Sequence, residues 1–163
     1  RVDGQDQSVS GGSFIWLQHA RARCEAFETT AEQDRFVGSH DGYHRLSDPV
    51  THRREVKHHK ARRTFEVIDE LECRGTHDVE VHWHFAESCE VTLEGDAVMV
   101  RQGNVHLRLA LIGADFEPEC VIGQLAPPLG WVSRQFDVKL PDGPIEVDDK
   151  HRHRNRAVKG TRT

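Results

Sequence analysis

Apolar residues alternate with charged and imidazole side chains through residues 39–85, and turn residues separate the runs. The segment Val-Glu-Val-His-Trp-His-Phe at residues 79–85 shows the pattern most clearly. A period of two is typical of half-buried antiparallel strands, with one face on a core and the other on water or a ligand. Roughly ten short runs of this kind, separated by turn signals, predict an all-β fold, an antiparallel β-sandwich made of two sheet layers.

Length and composition agree with a thin two-layer core. The chain has 163 residues, of which 36% are hydrophobic, and its mean hydropathy is -0.66. This is enough chain for one domain, which we expect over residues 1–147. Residues 148–163 are charged and lack apolar periodicity, so we expect a disordered tail there. The chain begins with Arg1 in a sequence typical of a strand end, which favours a piece excised from a longer protein.

Several classes of function have no support. The net charge of -5 argues against a general polyanion-binding surface, so we expect no nucleic-acid partner. No run approaches the roughly 18 apolar residues of a membrane span. The sequence contains no G-x-S-x-G, P-loop, G-x-G-x-x-G or H-E-x-x-H motif. Its four cysteines are scattered, and two disulfides or four separate thiols both remain open. The residues leave the localisation undetermined.

Individual strands and turns can be placed from the pattern. Residues 13–28 fit an amphipathic helix or two short strands, and Gly11-Gly12 ahead of them favours strands. The dipeptide Asp41-Gly42 predicts a turn after a strand at residues 36–39. Residues 105–112 predict a strand with Val105, Leu107, Leu109 and Leu111 facing inward.

Imidazole and carboxylate side chains supply the candidate chemistry. His82 and His84 share one face of a predicted strand, so both could bind one metal ion. A third ligand would have to come from another strand, and the simpler interpretation is a solvated strand face. Asp69 lies in a largely apolar strand, either as a buried, hydrogen-bonded carboxylate or as a surface residue near a turn.

A basic cluster at residues 52–63 is the candidate substrate-binding element. Arg53 and Arg54, with His40, would bind carboxylate or sulfate groups, because guanidinium pairs with such groups in a bidentate manner. The alternative is that residues 57–63 are a solvated hairpin connection.

Five blocks occur in an order that resembles the C-terminal part of the heparinase II/III-like polysaccharide lyases. They are Val2-Asp3-Gly4, His40-Asp41-Gly42-Tyr43, Val-Thr-His-Arg-Arg at residues 50–54, Asp69, and His-Trp-His-Phe at residues 82–85. The resemblance covers roughly residues 1–140 and implies a β-sheet domain that follows an N-terminal helical domain of the same protein. It also implies cleavage of an anionic, uronic-acid-containing polysaccharide by β-elimination, and a periplasmic or secreted location.

The resemblance places the reactive groups outside this sequence. In such enzymes a Tyr of the helical domain and a His near the start of the sheet domain perform the proton transfers. Two His and one Asp, all upstream of Arg1, bind zinc. We therefore expect no catalytic residue and no cofactor in this chain, zinc in the longer protein, and an inert fragment.

A non-catalytic carbohydrate-binding β-sandwich is the alternative. An exposed Trp16, Trp83 or Trp131 would favour it as a sugar platform, whereas burial of all three would favour a supporting domain.

Overall fold

A computed structural model describes residues 1–12, 14–95, 97–110, 112, 118–126, 128–131 and 146–151. These residues form two compact units, with the boundary between His77 and Asp78. The described residues contain strands and turns but no helix, and accordingly none long and apolar enough to cross a membrane. The predicted all-β class with antiparallel sheets is confirmed, and the set of sheets is consistent with a β-sandwich.

The first unit is built on a four-stranded antiparallel sheet and a hairpin. Its strands are β1 (Val9–Gly12), β2 (Ile15–Gln18), β3 (Ala22–Thr29), β4 (Gln33–Tyr43), β5 (Val50–His59) and β6 (Thr64–Glu72). The sheet has the order β3-β4-β5-β6, and β1 pairs with β2. Strands β2 and β3 confirm the strand prediction for residues 13–28. The connection between β5 and β6 is shorter than predicted and covers residues 60–63.

The turn predicted at Asp41-Gly42 overlaps the end of a strand: the amide of His44 donates to the carbonyl of Asp41 at 2.9 Å and closes a turn over residues 41–44. Both residues lie inside β4, where the pairing with β5 shifts between His40 and Tyr43 and forms a bulge. Gly42 is required there for packing, because a Cβ atom would overlap the backbone oxygen of Gln7 and lie 2.9 Å from the Cβ of Ala20. The glycine therefore permits a close approach of two chain segments.

The core of the first unit lies at the end of the sheet where the bulge occurs. It consists of Val2, Tyr43, Leu46 and Val50, with Leu71 and Cys73 packed against them. Val2 belongs to a short turn in which its amide and carbonyl pair with the carbonyl and amide of Gln5. The start of the chain is thus part of this small core.

The second unit contains two three-stranded antiparallel sheets and a two-stranded ribbon. Its strands are β7 (Val79–His84), β8 (Glu90–Glu94), β9 (Ala97–Gln102), β10 (Val105–Ala110), β11 (Pro118–Val121), β12 (Gln124–Leu125), β13 (Pro128–Leu129) and β14 (Glu146–His151). The sheet orders are β10-β9-β8 and β11-β14-β7, and β12 pairs with β13. Strand β14 extends into the segment predicted to be a tail, whose remainder lies outside the described residues.

The core of the second unit centres on the buried side chains of Val98 and Val100 in β9. Trp83, Phe85, Cys89, Val91 and Leu109 pack against them. Val105 and Leu107, predicted to face inward, are 68% and 48% exposed. The burial predicted for Val105 and Leu107 is therefore wrong, whereas Leu109, on the same face of β10, packs against the core as predicted. Leu111 lies outside the described residues.

Candidate functional site

Three neighbouring strands bring two histidines and an aspartate onto one face of the four-stranded sheet. His40 on β4 lies directly opposite His52 on β5. Asp69 on β6 lies opposite Arg54, two residues further along β5 than His52. Side chains at i and i+2 of a strand share a face, so the antiparallel register places all four groups together.

The four side chains form a continuous chain of hydrogen bonds whose direction can be deduced. The Gly42 amide donates to Nδ1 of His40 at 3.2 Å, so that nitrogen carries no proton. The proton of neutral His40 is then on Nε2, which donates to Nδ1 of His52 at 3.0 Å. Nε2 of His52 consequently carries the other proton and donates to Oδ1 of Asp69 at 2.6 Å.

Asp69 is the charged end of the chain of hydrogen bonds. Arg54 binds it in a bidentate manner, with Nε to Oδ1 at 2.7 Å and Nη2 to Oδ2 at 2.8 Å. Partial burial alone would raise the pKa of Asp69, but the hydrogen bonds from His52 and Arg54 outweigh it and lower that pKa to about 2. Asp69 is therefore ionised at neutral pH, and its negative charge balances the guanidinium.

His40 is held in its neutral form. Burial of the ring, followed by repulsion from His52, lowers the pKa of His40. An added proton on Nδ1 of His40 would point at the amide hydrogen of Gly42. An added proton on Nδ1 of His52 would point at the proton that Nε2 of His40 already carries. Either added proton would remove a hydrogen bond, so the geometry agrees with a neutral His40 ring.

This geometry supports strand register rather than proton transfer to a ligand. Both ring nitrogens of His40 and both of His52 are engaged within the network. A general base needs a nitrogen within hydrogen-bonding reach of the substrate proton that it removes. The network instead ties β4, β5 and β6 together across one face of the sheet.

Arg53 lies on the opposite face of the same sheet. Its guanidinium contacts Glu25 at 3.1 Å and Glu70 at 2.6 Å. Ser39 donates to the same Glu25 carboxylate at 2.6 Å. The structure therefore brings Arg54 and His40 onto one face and separates Arg53 from them. Binding of an anionic sugar by these three residues stays a prediction, in which the sugar would have to compete with the carboxylates of Glu25, Glu70 and Asp69.

His82 and His84 lie in β7 of the second unit. Their rings are nearly parallel, with centroids 6.4 Å apart, and Nε2 of His82 is 3.3 Å from a carboxylate oxygen of Glu80. Among the residues that the structure describes, no three His, Cys, Asp or Glu side chains are grouped so that they could hold a metal ion. A zinc site requires at least three protein ligands, so the described part of the chain does not fit one by itself.

Sequence reasoning named His40, Arg54 and Asp69 but did not place His52 between them. The signal was present, because residues 52 and 54 share one strand face, but only the register identifies Asp69 as their partner. A second group, Asp3, Asp48 and His77, was missed entirely. Asp3 lies in the first of the five sequence blocks, but Asp48 and His77 are far from it in the chain and match no motif.

Each unit is built from antiparallel strands, and the four-stranded sheet of the first unit carries the polar network of His40, His52, Asp69 and Arg54. The family model described as "Heparinase II/III-like, C-terminal" matches residues 1–155. The chain therefore belongs to that family, as the five sequence blocks predicted. Searches of curated proteins and of solved structures each returned no match to this chain.

Proposed function

We propose that this chain is the C-terminal β-sheet domain of a polysaccharide lyase that cleaves a uronic-acid-containing polymer by β-elimination. The family match over residues 1–155 is the observation that carries the proposal. β-Elimination requires that the uronate carboxylate be neutralised, that a base remove the C5 proton, and that an acid protonate the departing O4. In the first unit, the ring nitrogens of His40 and His52 already take part in hydrogen bonds within the sheet. This favours a structural role for that sheet.

The reaction class can be tested on the longer protein that contains this chain. β-Elimination leaves an unsaturated uronate, whose conjugated double bond absorbs in the ultraviolet. A panel of uronic-acid polymers, sulfated and unsulfated, should yield this absorbance together with new reducing ends for at least one polymer. New reducing ends without the absorbance would show hydrolysis and would refute the lyase proposal.

One observation favours carbohydrate binding as a second candidate function. Trp16 in the β1-β2 hairpin is 55% exposed, whereas Trp83 packs against the core of the second unit and Trp131 donates to the carbonyl of Gln124. Ser10 lies directly opposite Trp16, and Gln18 shares its face of the strand. An exposed indole with Ser10 and Gln18 beside it suits a sugar ring, which has an apolar C–H face and a rim of hydroxyl groups.

On this second candidate function, Trp16→Ala should weaken binding of a uronic-acid oligosaccharide about tenfold or more, as expected for a central aromatic contact. Leu17→Ala is the matched control, because Leu17 is 67% exposed on the opposite face of the same strand. Isothermal titration calorimetry on the 163-residue chain would measure both variants. Equal affinities for wild type and Trp16→Ala would remove the hairpin as a sugar platform.

A further inference from the structure

His77 lies between two carboxylates near the core of the first unit. Nδ1 is 2.8 Å from Oδ2 of Asp3, and Nε2 is 3.1 Å from Oδ2 of Asp48. The imidazole is almost completely enclosed, with 6% of its side-chain surface exposed. Ionised carboxylates only accept hydrogen bonds, so two such contacts require a proton on each ring nitrogen. The geometry is therefore that of an imidazolium held by two acceptors.

The two carboxylates belong to different segments of the chain. Asp48 precedes β5 and also accepts hydrogen bonds from the amides of Arg74 and Gly75, with the Arg74 contact at 3.1 Å. Asp3 lies in the first turn and has a φ of 50°, a left-handed conformation that is uncommon for residues other than glycine. Its neighbour Val2 is 1% exposed in the core. His77 thus joins the first turn of the chain to the loop before β5.

We propose that Asp3, His77 and Asp48 form a pH-sensitive latch that holds the Val2–Gln5 turn against the core of the first unit. This role is independent of the reaction proposed above. The latch is closed when His77 carries both protons. When His77 loses a proton, one carboxylate faces a nitrogen lone pair, that hydrogen bond is lost, and the first turn is released.

The surrounding charges are consistent with this assignment. Burial opposes protonation of the ring, but the hydrogen bonds to Asp3 and Asp48 outweigh burial and raise the pKa of His77. The amide of Gly75, followed by the contacts with His77 and Arg74, lowers the pKa of Asp48 despite the opposing effect of burial.

Other titratable or charged groups on the same segments are the α-amino group, Arg1, Asp6, His44, Arg45, Cys73, Arg74 and Asp78. Arg1 pairs with Asp6, and His44 contacts Thr51. Arg45 donates to the backbone oxygens of Asp6 and Gly42. Burial, with Asp48 and Asp3, raises the pKa of the Cys73 thiol, which keeps that thiol neutral.

The sign of the pH dependence follows from the raised pKa of His77. The stabilisation is fully present below the ordinary histidine pKa of about 6.5 and is lost as the pH rises through the raised value. His40 acts in the opposite direction, because its pKa is lowered and its contribution is lost as the pH falls. A loss of hydrogen-exchange protection that occurs only as the pH rises would therefore be evidence for the latch.

Nuclear magnetic resonance of the ¹⁵N-labelled 163-residue chain tests the proposal. In wild type, both ring nitrogens of His77 should be protonated at pH 6. Hydrogen-exchange protection of the Val2 and Gln5 amides, corrected for the intrinsic rate, should fall about tenfold or more as His77 deprotonates, because a hydrogen bond to a charged group is lost. An unprotonated His77 nitrogen at pH 6 would overturn the proposal.

Two matched variants locate the effect. Asp3→Asn removes one charge and keeps a residue that tolerates the left-handed backbone, so it should move the loss of protection to lower pH. Asp6→Asn removes a charge from the same segment but from a residue paired with Arg1, and should leave the midpoint unchanged. Equal midpoints for wild type and Asp3→Asn would contradict the latch. The wild-type titration decides the question if Asp3→Asn does not fold.

Discussion

Asp69→Asn should lower the free energy of unfolding of the first unit by about 2 kcal/mol at pH 7. Asp69 has a pKa of about 2 instead of 3.8, and each factor of ten in acidity corresponds to about 1.4 kcal/mol. The carboxylate keeps 26% of its side-chain surface exposed, so solvent screening reduces the full value. An amide also presents its own N–H group towards His52 and Arg54, which are both donors.

Native-state hydrogen exchange of the β4, β5 and β6 amides measures this loss within the first unit. Glu70→Gln is the control, because Glu70 is the next residue of β6, pairs with Arg53, and has 58% of its side-chain surface exposed. We expect a loss below about 1 kcal/mol there. Because the pKa of Asp69 is lowered, its contribution is present above pH 3.8 and is lost as the pH falls through about 2. Equal losses in the two variants would refute a special role for Asp69.

Gly42→Ala should destabilise the same unit by about 3 kcal/mol, at the upper end of the cost of overpacking. The added methyl group would overlap the carbonyl oxygen of Gln7 and lie 2.9 Å from Ala20 Cβ. Because Gln7 contributes a backbone atom, a change of rotamer cannot relieve the overlap. Arg45 also donates to the Gly42 carbonyl and to the backbone of Asp6, which links the two segments that would have to separate.

Urea denaturation monitored by circular dichroism would measure the Gly42→Ala effect. The double variant Ala20→Gly/Gly42→Ala separates the two overlaps. It should recover only part of the loss, because the contact with the Gln7 oxygen remains. Full recovery of stability in the double variant would show that the contact with Ala20 alone explains the need for glycine. A loss of stability below about 0.5 kcal/mol in Gly42→Ala would refute the packing argument.

Local patterns predicted the strands well. Strands β2 and β3, predicted within residues 13–28, and β7, predicted within residues 79–85, follow from alternation and turn residues, which are properties of neighbouring residues. The same local reasoning predicted the turn at Asp41-Gly42 but not the strand bulge in which it lies. The close approach of Gln7, far away in sequence, is the reason that residue 42 must be glycine, and no local pattern shows it.

The candidate site depended on information that the sequence does not display locally. His40, His52 and Asp69 meet because three strands pair in one register, and a shift of one residue would turn each side chain to the other face. The contact between Asp3 and His77 spans 74 residues and follows from the way the first turn packs on the core. The family resemblance, by contrast, rested on the order of short motifs and could be recognised without any contact.

On the proposed function, this chain is a supporting domain of a polysaccharide lyase whose reactive groups lie outside it. The most direct test compares the 163-residue chain with the longer protein on the same uronic-acid polymer, at equal molar concentration, by the absorbance of the unsaturated product. We predict turnover by the longer protein and none by the 163-residue chain, which should nevertheless be folded by circular dichroism. Turnover by the chain alone would contradict the claim, and His40, His82 and His84 would then be the first residues to replace.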